Sequence, residues 1–256
     1  MPPSAPDSRT ILGLKFFQGT AKDAVRRAQA GGLVIIPAAP ALKDLATNLS
    51  YRQALADADV LLTDSAYMVV VWNWLQKDRV SRLSGLRYLR ELLDCPDFRQ
   101  SGNTLWVMAN PEAVAQNIGW LSKQGIDVPE SHIYIAPIYP PPVPTSEVID
   151  PVLVEMIERL RPQHVVLTIG GGSQEPLGHN LKQHLSYLPA IHCIGAAIAF
   201  LSGDQVLIPV WADTYYLGWL FRILSEPSRF AKRYWEARKL YALLDRYRDR
   251  MPDFIA

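Results

Sequence analysis

Six short apolar runs recur along the chain at intervals that helices fill, and that rhythm constrains the fold more than any other feature. Residues 33–36, 60–62, 104–108, 133–136, 164–169 and 191–194 are rich in Val, Ile and Leu and too short to be helices. Several are continuous rather than alternating, as strands covered on both faces are. The segments between them read as helices. Thr20 opens one, with Asp23 placed to support its first turn, and another begins near Ala41. Residues 67–75 are apolar enough for a buried helix, 86–93 are amphipathic, 112–123 follow Pro111, and 146–160 precede the fifth run. Residues 11–17 read as one further strand, and the proline-rich stretch 137–144 as a stiff, polyproline-like loop. This order predicts an α/β protein: a Rossmann-like, mostly parallel sheet with helices on both faces and a C-terminal helical appendage.

The division into a core over residues 1–209 and an appendage over 210–256 rests on a shift in composition after Pro209. From there the chain is aromatic and arginine-rich, with Arg222, Arg229, Arg233, Arg238, Arg246, Arg248 and Arg250. Trp219, Leu220, Ile223 and Leu224 form one apolar stripe, and Tyr234, Trp235, Leu240, Tyr241 and Leu244 another. Such a tail either packs on the core with a solvated charged face, or presents aromatics and cations to an anionic membrane surface or a ligand phosphate. The chain as a whole has a formal net charge of +1, which gives no drive toward nucleic acid. Cys95 and Cys193 lack disulfide or metal-ligand spacing and fit packing roles in a reducing compartment. No HExxH set or Gly-x-Ser-x-Gly elbow is present, so neither a metal site nor a serine nucleophile is expected. No signal-peptide core and no apolar run of about 18 residues appears, which predicts a cytoplasmic protein with at most peripheral membrane contact. The apolar segment around Trp72 and Trp74 suits a core or an interface between copies of the chain, so a homo-oligomer is possible.

Two places could carry chemistry. The run Thr168-Ile169-Gly170-Gly171-Gly172-Ser173-Gln174-Glu175 empties a strand into three glycines and then a helix. Glycines allow backbone N–H groups to approach a phosphate, and the helix dipole favours negative charge there. The same residues also suit a tight turn with no ligand. It is neither a dinucleotide fingerprint nor a Walker loop. Asp64 closes an apolar strand where α/β ligand sites lie, and suits either acid–base chemistry or capping of the following helix.

Four stretches together carry a family resemblance: Gly170 to Glu175; Asp64-Ser65; Arg82-Leu83-Ser84-Gly85; and the close, Gly218-Trp219-Leu220-Phe221-Arg222-Ile223-Leu224-Ser225-Glu226-Pro227-Ser228-Arg229-Phe230-Ala231-Lys232-Arg233-Tyr234. They resemble the WecG/TagA/CpsF glycosyltransferases of bacterial cell-surface polysaccharide and teichoic acid linkage synthesis. Members of that family read G-x-P-K-Q-E, Asp-Gly, a basic stretch ending in glycine, and E-W-L-x-R-L-x-x-E-P-x-R-x-x-R-Y. The resemblance implies inverting transfer of a sugar from a UDP-sugar to a polyprenyl-diphosphate-linked acceptor at the cytoplasmic membrane face, without a cofactor. It implies Asp64 as catalytic base, Gly170, Gly171, Gly172, Gln174, Glu175, Arg222, Arg229 and Arg233 at the donor, and Arg82 and Ser84 at the acceptor. The sequence departs from the family pattern at Ile36-Pro37-Ala38, Gly172-Ser173, Ala199, Leu207-Ile208-Pro209 and Gly218, where polar family residues are replaced. Such losses change what a pocket binds more readily than they change a fold. Two readings follow: a divergent transferase with altered substrates, or a catalytically degenerate module that binds nucleotide or lipid within a polysaccharide assembly complex.

Overall fold

The computed structural model describes residues 8–139, 148–203, 205 and 207–255, and of residues 210, 229, 230, 233 and 234 it describes the backbone only. Two sheets are present. The first is an antiparallel hairpin, β1 (Ser8–Ile11) and β2 (Leu14–Phe17). The single strand expected over 11–17 is thus corrected. Leu12 (φ 51°) and Gly13 (φ 75°) form a two-residue turn with both central residues left-handed. Leucine rarely signals such a turn, but Leu12 is buried, and both turn amides donate to carbonyls far along the chain: Leu12 N–H to Arg248 (2.7 Å) and Gly13 N–H to Asp249 (3.0 Å).

The second sheet holds the expected runs as six parallel strands: β3 (Gly32–Ile35), β4 (Val60–Leu61), β5 (Thr104–Met108), β6 (Ile133–Ile135), β7 (His164–Leu167) and β8 (Ala190–Cys193), in the spatial order β4-β3-β8-β7-β5-β6. The Rossmann-like expectation holds. Strand pleating sends alternate residues to two separate cores. Leu33, Ile35, Leu105, Val107, Val165 and Leu167 join one; Val34, Ile36, Trp106, Met108 and Val166 join the other. The first face is covered by α3 (Leu49–Ala56), α8 (Pro151–Leu160) and α9 (Gln174–His184), and the second by α1 (Ala21–Ala28), α5 (Gly85–Leu93) and α7 (Pro111–Lys123).

Local chemistry sets the helix ends. Thr20 and Asp23 form a reciprocal capping box on α1. The helix expected from residue 146 begins at Pro151, because Asp150 caps it through Leu153 N–H (3.0 Å) while its other oxygen accepts from Tyr134 and Tyr139. The proline-rich stretch falls largely outside the described residues. Helix α4 (Ala66–Gln76) departs from the buried helix expected: Met68, Val69 and Trp72 are buried, but Tyr67, Val70 and Trp74 are exposed. The remaining helices are α2 (Ala39–Leu42), α6 (Pro96–Arg99), α10 (Ala199–Ser202), α11 (Val210–Thr214), α12 (Gly218–Ser225), α13 (Pro227–Ala237) and α14 (Lys239–Tyr247). The last two pack against α2 and α4, and Leu240 and Leu244 enter the first core.

The second core holds a buried polar chain. His164 Nδ1 lies 3.1 Å from His192 Nε2, and His192 Nδ1 lies 2.9 Å from the Tyr88 hydroxyl. Burial depresses the pKa of His164 to about 4 and that of His192 well below the usual histidine value. The unfolded chain therefore binds protons near pH 6.5 that the native chain refuses until about pH 4. Stability is full above pH 6.5 and falls as pH drops toward 4, by about 3 kcal/mol from His164 at about 1.36 kcal/mol per unit. Urea midpoints between pH 7 and 4.5 measure this loss, and His164→Gln should flatten the slope. A slope unchanged in that variant would show that other groups govern acid unfolding.

Candidate active site

The C-terminal ends of five parallel strands open into one cleft of about 710 Å³. Ile36 and Ala38 line it after β3, Asp64 after β4, Asn110 after β5, Thr168, Gly170 and Gly171 after β7, and Gly195 after β8. Ligands bind at this edge of parallel sheets because the variable loops and helix N-termini gather there. The facing wall is supplied by the segment after Pro209, including Asp213, Tyr216, Trp219, Arg222 and Glu226.

Asp64 follows β4, the edge strand of the sheet, and lines the cleft from that side. The capping role that the sequence left open belongs to its neighbour: Ser65 Oγ accepts from Met68 N–H at 3.1 Å and starts α4. Asp64 Oδ1 is held by Gly85 N–H (2.9 Å) and Arg82 Nη2 (3.4 Å), and its backbone carbonyl takes Arg82 Nε at 2.6 Å. Its Oδ2 accepts nothing from the described residues, and Asp64 lines the cleft. One oxygen is positioned and the other is open, as a proton acceptor requires.

Arg82 is a bridge. Its Nη1 donates to the backbone oxygen (2.8 Å) and to Oδ1 (2.9 Å) of Asp213, and its guanidinium lies 5.4 Å from the centre of the Tyr216 ring. Ser84 Oγ donates to Asp213 Oδ2 at 2.5 Å and also accepts from Arg87 N–H, capping α5. Arg82 and Ser84, expected at the acceptor, line the cleft with Asp64, and their polar atoms engage Asp213. Asp213 belongs to none of the motifs in the sequence. Its partners Arg82 and Ser84 lie in the loop between α4 and α5, far from it in sequence.

The glycine loop is half of what was expected. Gly170 (φ 102°) lines the cleft, and a Cβ there would meet nothing within 4 Å. Gly171 lines it as well. Gly172 and Glu175 do not line it: Gly172 N–H donates to Glu175 Oε2 at 2.6 Å, and the Glu175 side chain is fully buried. Glu175 and the Gly172 amide, both expected at the donor, are thus bonded to each other. A buried carboxylate is tolerable only where hydrogen bonds hold it, and this one fixes the loop from beneath. Gln174 reaches the cleft, yet its Oε1 accepts from Gly195 N–H (2.9 Å) and its Nε2 donates to Glu175 Oε1 (3.3 Å), tying the loops after β7 and β8 together. Arg222 faces the cleft from α12, 5.1 Å over the Phe200 ring and donating to Gln205 Oε1 at 3.4 Å. Arg229 and Arg233 lie on α13, and their side chains fall outside the described part of the structure.

The model of the glycosyl transferase WecG/TagA/CpsF family matches residues 9–252, nearly the whole chain. The chain belongs to that family. A relative from Bacillus spizizenii, named N-acetylglucosaminyldiphosphoundecaprenol N-acetyl-beta-D-mannosaminyltransferase, is 23% identical over 205 residues, covering 78% of this chain and 74% of its own. As a WecG/TagA/CpsF-family hexosyltransferase, the protein has a cleft whose chemistry is asymmetric. The β4 side carries a held carboxylate with an open oxygen, while Arg222 stands on the opposite wall. No helix among the described residues is long and apolar enough to cross a membrane.

Proposed function

We propose that the protein transfers a sugar with inversion from a UDP-sugar to the sugar hydroxyl of a polyprenyl-diphosphate-linked acceptor, in exopolysaccharide or cell-wall polymer synthesis. The observation that carries this is Asp64, whose Oδ1 is fixed by Gly85 and Arg82 while its Oδ2 stays open to the cleft. Inversion needs one carboxylate to take the acceptor hydroxyl's proton as the oxygen attacks the anomeric carbon from the face opposite UDP. Gly170 and Gly171 present a backbone surface without Cβ atoms to the donor, and Arg222 offsets negative charge growing on the departing UDP. Arg229 and Arg233 are proposed to join it from α13. The lipid-linked acceptor class is taken from the name of the Bacillus relative. A place on the inner face of the cytoplasmic membrane suits such an acceptor. Exposed Trp211, Leu224 and Trp235 on α11 to α13, with Arg238 stacked 3.8 Å over the Trp235 ring, supply an aromatic and cationic surface for it.

The test is UDP release from a panel of UDP-sugars, with and without an N-acetylglucosaminyl-diphosphate-prenol acceptor in vesicles. Acceptor-dependent UDP release with a new disaccharide on the lipid is the expected result. A second reading, a nucleotide- or lipid-binding module without catalysis, is favoured by the engagement of Gly172, Gln174 and Glu175 with the protein itself. It requires tight UDP-sugar or lipid binding with no UDP release from any donor, which the same assay reads.

A further inference from the structure

We infer that the exposed face of α4 carries the isoprenoid chain of the acceptor away from the cleft; this rests on the acceptor class proposed above. Tyr67, Val70 and Trp74 fall at i, i+3 and i+7, so they form one stripe, about 10 Å long at 1.5 Å per residue. The solvent face of a surface helix is ordinarily polar. Here Val70 is 53% exposed and Trp74 70% exposed. Tyr241 of α14 extends the stripe sideways, its ring centre 6.4 Å from that of Trp74.

Position identifies the occupant. Tyr67 and Val70 line the cleft beside Asp64, whereas Trp74 lies one turn further along α4 and outside it. The stripe is therefore continuous with the site and leads out of it. An acceptor whose sugar hydroxyl sits at Asp64 must pass its lipid through some wall of the cleft. The segment after Pro209 brings Asp213, Arg222 and Glu226 to the cleft beside Trp219, where an isoprenoid would desolvate charges, while α4 brings Ala66, Tyr67 and Val70, among which the Tyr67 hydroxyl is the one polar side-chain group. A second copy of the chain is the competing occupant. The few exposed side chains of the stripe fall well short of the roughly 800 Å² per partner of a stable interface.

The test compares N-acetylglucosaminyl diphosphates carrying geranyl or geranylgeranyl chains, binding to the full-length protein followed by calorimetry and by tryptophan emission. The wild type should bind the longer chain about tenfold more tightly, with a blue shift in emission. In Trp74→Ser and Tyr241→Ser, which remove exposed side chains of the stripe outside the cleft, that advantage should collapse toward unity while affinity for the geranyl form is kept. Trp74→Phe should retain the affinity gap and lose most of the blue shift. An affinity gap that survives in both serine variants, or no chain-length preference in the wild type, overturns the inference. So does an oligomer by sedimentation that the serine variants dissociate, since the stripe would then be covered by a second copy. Chain-dependent binding without sugar transfer from any donor would leave the track standing and sink the transferase reading instead. Sugar transfer with a chain-length preference that survives in both serine variants would do the reverse.

Discussion

Asp64→Asn should lower the rate of sugar transfer by about 10²- to 10⁴-fold, the usual contribution of a positioned general base. The substitution is nearly isosteric. Asn Oδ1 can still accept from Gly85 N–H and Arg82, so the loop geometry at the end of β4 is kept. What disappears is the ability of the second oxygen to take a proton. The loss should fall on kcat, with donor affinity by calorimetry changed less than about twofold and the thermal midpoint nearly unchanged. Asp64→Ala separates the two roles of the residue: it should be as inactive, and also less stable, because Gly85 N–H and the Arg82 guanidinium lose their acceptor. If Asp64→Asn retained more than about a tenth of the wild-type rate, the proton would be going elsewhere and Asp64 would be a structural carboxylate.

Arg82→Met should be the most damaging change outside Asp64. The Arg82 side chain is 12% exposed and serves two carboxylates from different parts of the chain, Asp64 and Asp213. Methionine fills much of the volume but leaves both acids without the cation between them and Asp213 without two donors. Breaking a fully buried pair costs about 3–5 kcal/mol; with Asp64 27% exposed and Asp213 16% exposed, about 2–3 kcal/mol is expected here. Transfer should fall about a hundredfold, because Asp64 loses its anchor and α11 its tie to the cleft. Arg82→Lys should rescue little, since one ammonium cannot reproduce donation from Nε, Nη1 and Nη2 at once. Chemical denaturation of Arg82→Met, Asp213→Ala and the double variant checks the coupling: the double variant should lose less than the sum of the singles. Strict additivity would mean that the two groups do not depend on each other.

The central sheet was legible in the sequence because strands buried on both faces leave continuous apolar runs, such as those ending at Ile35 and Leu167. The hairpin was not. Leu12 occupies a left-handed turn position that sequence signals reserve for Gly or Asn, and it is held there by carbonyls at residues 248 and 249. Helix α4 was only partly legible: its apolar run suited a core or an interface, and no local pattern shows that Val70 and Trp74 are exposed while Met68, Val69 and Trp72 are buried. In the site, the sequence placed Asp64 at a strand end and left two uses open, and the structure puts it in the cleft lining while Ser65 caps α4. The glycine loop revealed where a backbone comes close to the cleft, but not that the Glu175 carboxylate bonds the Gly172 amide from below. Asp213 was invisible because its partner is 131 residues away, and only the fold brings the two together.

Two of the ties that join early and late parts of the chain bear on synthesis. Arg82 meets Asp213, and the turn at Leu12 and Gly13 meets the carbonyls of Arg248 and Asp249. Contacts that far apart in sequence close last, after the local βα units have formed. On the ribosome, all six parallel strands can emerge while the cleft still lacks its far wall and the first hairpin its anchor. The residues of the central sheet are therefore all made before those that complete the cleft.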